Sequence, residues 1–308
     1  MPSNQSPLGA LPARFRRERV LIVGCGDVGL RAARALQGRV RLLALTSSPS
    51  RHTELRMRGI TPLAGNLDQP ATLQRLAGIA TRVLHLAPPP SQDLVDWRRD
   101  PRTRALLRAL ALRTHPATLV YGSTSGVYGD RQGQWVGEHA IVTPQTPRAW
   151  RRVDAEQQVH WFGRRHGVRT TVLRIPGIYA PDREGGTPRD RLLRGTPVLR
   201  PEDDVYTNHI HADDLARSCV AALWRGRPGR VVHVCDDTEL RMGDYFDWVA
   251  DHFGLPRAPR LSRAEAAQQL SPMQLSFMGE SRRLRNQRLK AELRVALRYP
   301  TIQEGLSV

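Results

Sequence analysis

"RVLIVGCGDVGLRAARAL", residues 19–36, decides the fold of this 308-residue chain. An apolar run, Val20 to Val23, leads into a glycine-rich turn, and apolar residues then recur at helical spacing. The turn reads G-x-G-x-x-G between Gly24 and Gly29. Between a strand and a helix, this pattern is typical of a dinucleotide site, because the helix N-terminus attracts a pyrophosphate. The stretch therefore predicts a strand–turn–helix unit that binds a dinucleotide.

Each residue of the turn has a predicted task. Gly24 allows the tight bend, Gly26 lets the backbone approach the pyrophosphate, and Gly29 lets helix and strand pack closely. Asp27 and Val28 lie between these glycines at the helix start. We expect all five residues to contact the cofactor.

The next predicted strand, residues 39–46, bears on which dinucleotide is bound. An NAD site usually has a carboxylate about 20 residues after the glycines, to bind the ribose 2′-hydroxyl. Here Thr46 and Ser47 are followed by Arg51, with no acidic residue in between. Hydroxyls and a guanidinium suit a 2′-phosphate. The sequence therefore predicts NADP in preference to NAD.

Strand-like and helical patterns alternate from residue 19 to about 175, and then the rhythm breaks into loop-rich chain. This alternation predicts an α/β fold with a doubly wound parallel sheet of the Rossmann type and a small C-terminal substrate lobe. We expect a flexible N-terminal extension over 1–18, a dinucleotide-binding domain over 19–180 and a lobe over 181–308, with about 207–237 returning to the sheet. The predicted elements include helices over 99–114, 147–167 and 281–294.

Composition excludes some classes of function. The net charge is +18, but 46 of the 47 basic residues are arginines spread along the whole chain. That usage indicates compositional drift rather than a nucleic-acid surface, so no nucleic-acid partner is predicted. No apolar run reaches the roughly 18 residues of a membrane span. The three cysteines are far apart and lack metal-ligand spacing, which predicts no metal site and a cytoplasmic location.

Several motifs together resemble one family. Residues 117–129, ATLVYGSTSGVYG, carry an S-T-x-x-V-Y-G turn, residues 173–179 read LRIPGIY, and residues 209–214 read HIHADD. These segments are similar to those of the extended short-chain dehydrogenase/reductase superfamily, in its nucleotide-sugar epimerase/dehydratase-like branch. The resemblance covers nearly the whole chain from residue 19 and implies further contacts to the cofactor, from Asn66, Leu67, Leu86, Ala87, Pro176 and Ile178.

The resemblance also implies catalytic positions. In such enzymes the hydroxyl four residues before the V-Y-G tyrosine polarises a substrate carbonyl, which assigns Thr124 to that role. A Tyr-x-x-x-Lys pair on the next helix then transfers the proton. The family reads P-x-S-P-Tyr-x-x-x-Lys there, and this chain reads P-Q-T-P from Pro144, so Arg148 and Arg152 occupy the tyrosine and lysine positions. Arginine does not cycle a proton at neutral pH.

Two functions remain open at this point. The first is an atypical NAD(P)-dependent oxidoreductase or epimerase-like enzyme, with Arg148 as a clamp for an anionic small-molecule substrate. The second is a non-catalytic dinucleotide-binding sensor or partner-binding protein. As replacement proton carriers we consider Tyr128, Tyr179 and His211. Homodimers occur in the superfamily, so a homodimer is possible by analogy only.

Overall fold

The computed structural model describes residues 18–91 and 96–307. Apart from Glu18, the predicted N-terminal extension lies outside the described residues. In the described part, helices and strands alternate as the α/β prediction requires.

A seven-stranded parallel sheet forms the centre of the molecule. Its strand order is β3-β2-β1-β4-β5-β7-β12, so the chain moves outward from β1 in one direction and then in the other. The doubly wound prediction is confirmed. The strands of the sheet are β1 (Arg19–Val23), β2 (Arg41–Thr46), β3 (Ile60–Ala64), β4 (Arg82–His85), β5 (Thr118–Thr124), β7 (Arg169–Ile175) and β12 (Arg230–His233).

Helices cover both faces of this sheet. The helices are α1 (Asp27–Leu36), α2 (Arg51–Met57), α3 (Pro101–Leu110), α4 (Pro147–His166), α5 (Arg189–Leu193), α6 (Ala212–Arg225), α7 (Met242–Phe253), α8 (Arg263–Gln269), α9 (Pro272–Met278), α10 (Gln287–Ala291) and α11 (Ile302–Leu306), with 3₁₀ turns at Pro70–Leu76 and Ser125–Tyr128. Residues of α1 and α6 pack on one face, and residues of α3 and α4 on the other. None of the helices in the described ranges is long and apolar enough to cross a membrane.

The C-terminal part of the chain builds a second, smaller core beside the carboxyl edge of the sheet. Its buried side chains come mainly from α5, α7 and α11 and from short strands. The short strands are β6 (Trp135–Val136), β8 (Gly177–Tyr179), β9 (Val198–Leu199), β10 (Tyr206–Thr207), β11 (His209–His211), β13 (Leu240–Arg241), β14 (Arg260–Leu261) and β15 (Arg283–Leu284). The β8–β11 pair leads the chain from the lobe back toward the sheet. The predicted domain boundaries stay a prediction.

Helix α4 begins and ends where its sequence signals predict. The Thr146 hydroxyl accepts a hydrogen bond from the Ala149 amide at 3.2 Å, and Pro147 fills the first helical position. Gly167 ends the helix in the left-handed conformation at φ 65°. These bounds fix the direction in which Arg148 and Arg152 leave the first two turns.

The prediction of one helix over 281–294 is wrong. Arg283 and Leu284 instead form β15, which pairs in parallel with Trp135 and Val136 of β6, and only Gln287–Ala291 is helical. The sequence of this segment has helical periodicity. Its backbone at Arg283 and Leu284 instead pairs with a strand that is distant in the sequence. The segment therefore fastens the C-terminal part of the chain to the loop after β5.

Candidate functional site

The glycine-rich turn fits a dinucleotide. Gly24 has φ 88°, and a Cβ there would lie 2.7 Å from Ala87 Cα, so no larger residue fits. A Cβ at Gly29 would lie 3.0 Å from the Gly24 carbonyl oxygen, which explains the close packing of helix on strand. At Gly26, by contrast, no described atom lies within 4 Å of a built Cβ. The turn is thus closed toward the protein and open at the helix N-terminus, where a pyrophosphate would be bound.

A cluster of ion pairs sits at the start of α1. The buried Arg31 guanidinium contacts three carboxylates, those of Asp27 at 2.9 Å and of Asp182 and Asp213 at 2.6 Å each. Arg183 also pairs with Asp27. Asp27 therefore holds cations instead of pointing freely at a cofactor, and the cluster ties the loop after β8 to the glycine turn. No signal in the sequence pointed to Arg31.

The residues predicted to contact the adenosine ribose lie together at the end of β2. The Thr46 hydroxyl accepts a hydrogen bond from the Ser48 amide at 3.2 Å, and Arg51 begins α2. Arg51 Nε lies 3.4 Å from Glu54 Oε2. The sequence prediction overlooked this carboxylate, which shares the charge of Arg51.

The other predicted cofactor contacts also lie at the carboxyl ends of parallel strands. Leu86 and Ala87 follow β4, and their amides donate to the Val23 carbonyl at 2.7 and 3.0 Å. Asn66 and Leu67 follow β3. Four strands thus present their predicted residues along one edge, the edge at which open α/β sheets bind ligands.

A cavity of about 670 Å³ opens between this edge and the C-terminal lobe. Thr124, Arg148 and Arg152 line one wall, together with Pro176 and Ile178. The structure therefore brings the three predicted catalytic positions together with two of the predicted cofactor contacts. The lobe lines the opposite wall through α5, α7 and α9.

Arg152 is held in place by the strand beneath it. Its Nη1 donates to the Gly122 carbonyl at 2.6 Å and to the Tyr121 hydroxyl at 3.0 Å. Burial, and then the charge of Arg152, lowers the pKa of the neighbouring His85 to about 3, so His85 is neutral at pH 7. Burial raises the pKa of Tyr121, which keeps its phenol protonated. Neither His85 nor Tyr121 is therefore poised to exchange a proton near neutral pH.

Beneath the cavity, a buried polar network connects β5, α4 and β7. Arg174 donates to both carboxylate oxygens of Glu156, at 3.1 and 2.7 Å, and the Ser123 hydroxyl donates to the same carboxylate at 2.5 Å. Arg174 also donates to the Tyr128 hydroxyl at 2.6 Å, which lies 2.6 Å from His233 Nε2. The network holds Ser123, the residue beside Thr124, and uses Tyr128 structurally.

The other considered proton carriers are also engaged in structural contacts. Tyr179 is buried and donates its hydroxyl to the Thr301 carbonyl at 3.0 Å. Burial raises its pKa, which opposes a phenolate. His211 Nδ1 accepts the Asp213 amide at 3.2 Å and so caps α6. Neither residue offers an unengaged acid or base to the cavity.

Sequence patterns missed the lobe wall of the cavity. Arg191, Tyr245, Glu280 and Arg282 line it, but no motif marks these residues. Glu280 pairs with Arg282 at 2.7 Å, so the cavity keeps an excess of arginines. Among the residues of 18–91 and 96–307, no cluster of three His, Cys, Asp or Glu side chains is arranged to hold a metal.

Comparison with known proteins gives the family. The model of the NAD dependent epimerase/dehydratase family matches residues 20–235. A dTDP-glucose 4,6-dehydratase of Streptomyces antibioticus is 31% identical over 159 residues, which is 50% of this chain and 47% of that enzyme. The matched part of the chain thus spans about half the length of this dehydratase and less than half that of a Bacillus subtilis relative.

Solved structures agree over almost the whole chain. A functionally unknown conserved protein from Silicibacter pomeroyi is 31% identical, covers 94% of this chain and 96% of its own, and superposes with a TM-score of 0.75. A UDP-glucuronic acid 4-epimerase from Bacillus cereus, in complex with NAD, is 17% identical with the same coverages and a TM-score of 0.72. The second likeness shows the fold alone. With its sheet order, its glycine turn and the family match over residues 20–235, the chain belongs to the NAD dependent epimerase/dehydratase family.

Proposed function

We propose that the chain is an NAD(P)-dependent oxidoreductase or epimerase-like enzyme that acts on an anionic small molecule. The observation that carries this proposal is the cavity, whose wall at the carboxyl edge of the sheet contains Thr124, Arg148 and Arg152. Related enzymes act on nucleotide sugars, as the names of the dehydratase and the epimerase state. A nucleotide sugar therefore supplies the first substrates to test.

The residues of the cavity divide the work as follows. When bound, a nicotinamide dinucleotide supplies hydride transfer. The Thr124 hydroxyl, which accepts the Gly126 amide at 3.2 Å, is left with its own O–H to donate to a substrate carbonyl. Arg152, fixed by Gly122 and Tyr121, provides positive charge beside the reacting centre. Arg148 is exposed at the start of α4 and binds the anionic part of the substrate.

Turnover and Arg148→Ala test this proposal together. The purified chain with NADH or NADPH is assayed spectrophotometrically against a panel of nucleotide sugars and ketones, and we expect substrate-dependent cofactor turnover. In Arg148→Ala, KM for an anionic substrate should rise at least about tenfold at similar kcat, because a charge-assisted contact made throughout the reaction is lost. Arg164→Ala, which removes an exposed charge from the other end of α4, should change neither constant.

Two other outcomes would decide against parts of the proposal. Tight cofactor binding without turnover of any substrate would favour the non-catalytic sensor, in which the cofactor is bound but not used. An unchanged KM in Arg148→Ala would refute the clamp role alone.

Choice between NAD and NADP is proposed to depend on Arg51. A preference for NADP, as the sequence predicts, requires Arg51 to attract a 2′-phosphate, but Glu54 lies 3.4 Å from its Nε. The Bacillus cereus epimerase holds NAD, so the comparisons lend the NADP preference no support. The preference stays a prediction, as do the homodimer and the cytoplasmic location.

A titration with both reduced cofactors measures this preference directly. If NADP is preferred, NADPH should bind more tightly than NADH, and Arg51→Gln should weaken NADPH binding about tenfold while leaving NADH binding unchanged. Arg56→Gln removes an exposed charge from the same helix and is the matched control. Tighter binding of NADH by the unmodified chain would overturn the prediction.

A further inference from the structure

One cation on the lobe wall of the cavity lacks a counter-charge. Arg191 lies in α5, and its guanidinium stacks on the Phe246 ring at 4.6 Å. Within the described ranges, no hydrogen bond or ion pair reaches this guanidinium. Arg257 and Arg260 of the same lobe each lie 2.6 Å from a carboxylate oxygen. Arg191, which is partly buried, therefore differs from these two arginines in having no carboxylate partner among the described residues.

Two further polar groups adjoin Arg191 in the same wall. His209 and Tyr245 are 7% and 5% exposed, and their rings are 4.6 Å apart. In the part of the chain that the structure describes, neither the imidazole nor the hydroxyl makes a hydrogen bond. Burial, and then the charge of Arg191, lowers the pKa of His209 to about 3, so its imidazole is neutral at pH 7 and keeps one N–H donor. Burial raises the pKa of Tyr245, so the phenol keeps its proton.

The three groups have complementary chemistry. A guanidinium, a phenolic O–H and an imidazole N–H are all donors, and a donor shielded from water without an acceptor costs free energy. Burial also lowers the pKa of Arg191, as expected for a cation without a carboxylate partner. An anionic acceptor in the cavity would satisfy all three donors and neutralise the charge.

We propose that Arg191, Tyr245 and His209 form an anion subsite on the lobe wall, which binds a phosphoryl or carboxylate group of the substrate. The subsite rests on the proposed function and sharpens it. The substrate has an anionic group held by the lobe, across the cavity from Arg148 and Arg152. Its other end then reaches Thr124 at the sheet edge. A cavity of about 670 Å³ has room for a molecule that spans both walls.

Calorimetric titration of the full chain tests the subsite without requiring turnover. The probes are UDP and inorganic pyrophosphate for phosphoryl groups, citrate for carboxylates, and uridine as the neutral counterpart of UDP. In Arg191→Gln we expect the Kd of the anions that bind to rise at least about tenfold, and NADH binding to stay unchanged. Arg194→Gln removes an equal charge from the exposed end of the same helix and should leave every Kd unchanged.

Two further variants separate a subsite from a packing role for Arg191. Arg191→Lys keeps the charge, so it should retain more anion affinity than Arg191→Gln. Tyr245→Phe keeps the ring and should weaken anion binding severalfold through the loss of one donor. Thermal unfolding reports whether each variant remains folded.

The outcomes distinguish the subsite from the proposed function. Equal anion affinity in Arg191→Gln and the unmodified chain, or no binding of any anion, would overturn the subsite. Equal losses in Arg191→Gln and Arg194→Gln would also overturn it, because the effect would then be one of net charge. Failure of NADH and NADPH to bind would refute the proposed function, whatever the anions do.

Discussion

An alanine at residue 24 is expected to abolish dinucleotide binding and to lower the free energy of unfolding by about 2–5 kcal/mol. Gly24 has φ 88°, a conformation that costs an L-residue energy, and the added Cβ would lie 2.7 Å from Ala87 Cα. The backbone on both sides must move apart, which pushes β1 away from the residues that follow β4. Equilibrium denaturation and cofactor fluorescence titration measure the two losses.

Gly26→Ala is the matched control for this prediction. A methyl group at residue 26 meets no described atom within 4 Å, so the free energy of unfolding should stay within about 1 kcal/mol of the unmodified value. The added methyl group lies where a pyrophosphate would approach the backbone, and the Kd for the cofactor should therefore rise at least about tenfold. If Gly26→Ala bound the cofactor normally, the turn would not be the pyrophosphate site. If Gly24→Ala were as stable as the unmodified chain, the packing argument would be wrong.

Arg174→Met is expected to cost about 3–5 kcal/mol of folding free energy. Arg174 and Glu156 are both buried, and the guanidinium binds both oxygens of the carboxylate. Methionine fills similar space but leaves the Glu156 carboxylate buried without its counter-charge. The Ser123 hydroxyl then remains as its neighbouring donor. Chemical denaturation of the variant at pH 7 measures the loss.

A double substitution shows whether the cost comes from the uncompensated charge. Arg174→Met combined with Glu156→Met removes both charges, so it should recover much of the stability lost in Arg174→Met alone. Arg257→Met removes an exposed pair with Asp251 and should leave the free energy of unfolding nearly unchanged. Additive losses in the double variant would contradict the account, because packing rather than charge would then dominate.

Local signals were sufficient for the first half of the fold. The apolar run before Gly24, the glycine turn and the cap at Thr146 each specify backbone structure within a few residues of themselves. These elements therefore appear where the sequence predicts them. The prediction for residues 281–294 is wrong, because Arg283 and Leu284 pair with residues about 150 positions earlier in the chain. A local helical pattern does not record such a partner.

The same distinction between local and long-range information applies to the candidate site. The motif resemblance placed Thr124, Arg148 and Arg152, and the structure brings them to one wall of the cavity. Arg191 and Tyr245 come from α5 and α7, more than 50 residues apart, and neither lies in a motif. Their proximity follows from the packing of the lobe. Sequence reasoning consequently covered the wall of the cavity at the sheet edge and missed the wall formed by the lobe.

The position of β12 has a consequence for synthesis on the ribosome. Arg230–His233 supply the last strand of the central sheet, beside β7, after the chain has left the sheet and built part of the lobe. Until these residues emerge from the ribosome, β7 is the edge strand of the sheet, and backbone groups at Val172 and Leu173 have no partner strand on the open side. Chains cut short before residue 230 keep that edge open and are prone to aggregate. Folding of the nucleotide-binding half is therefore completed by a strand that the ribosome delivers late.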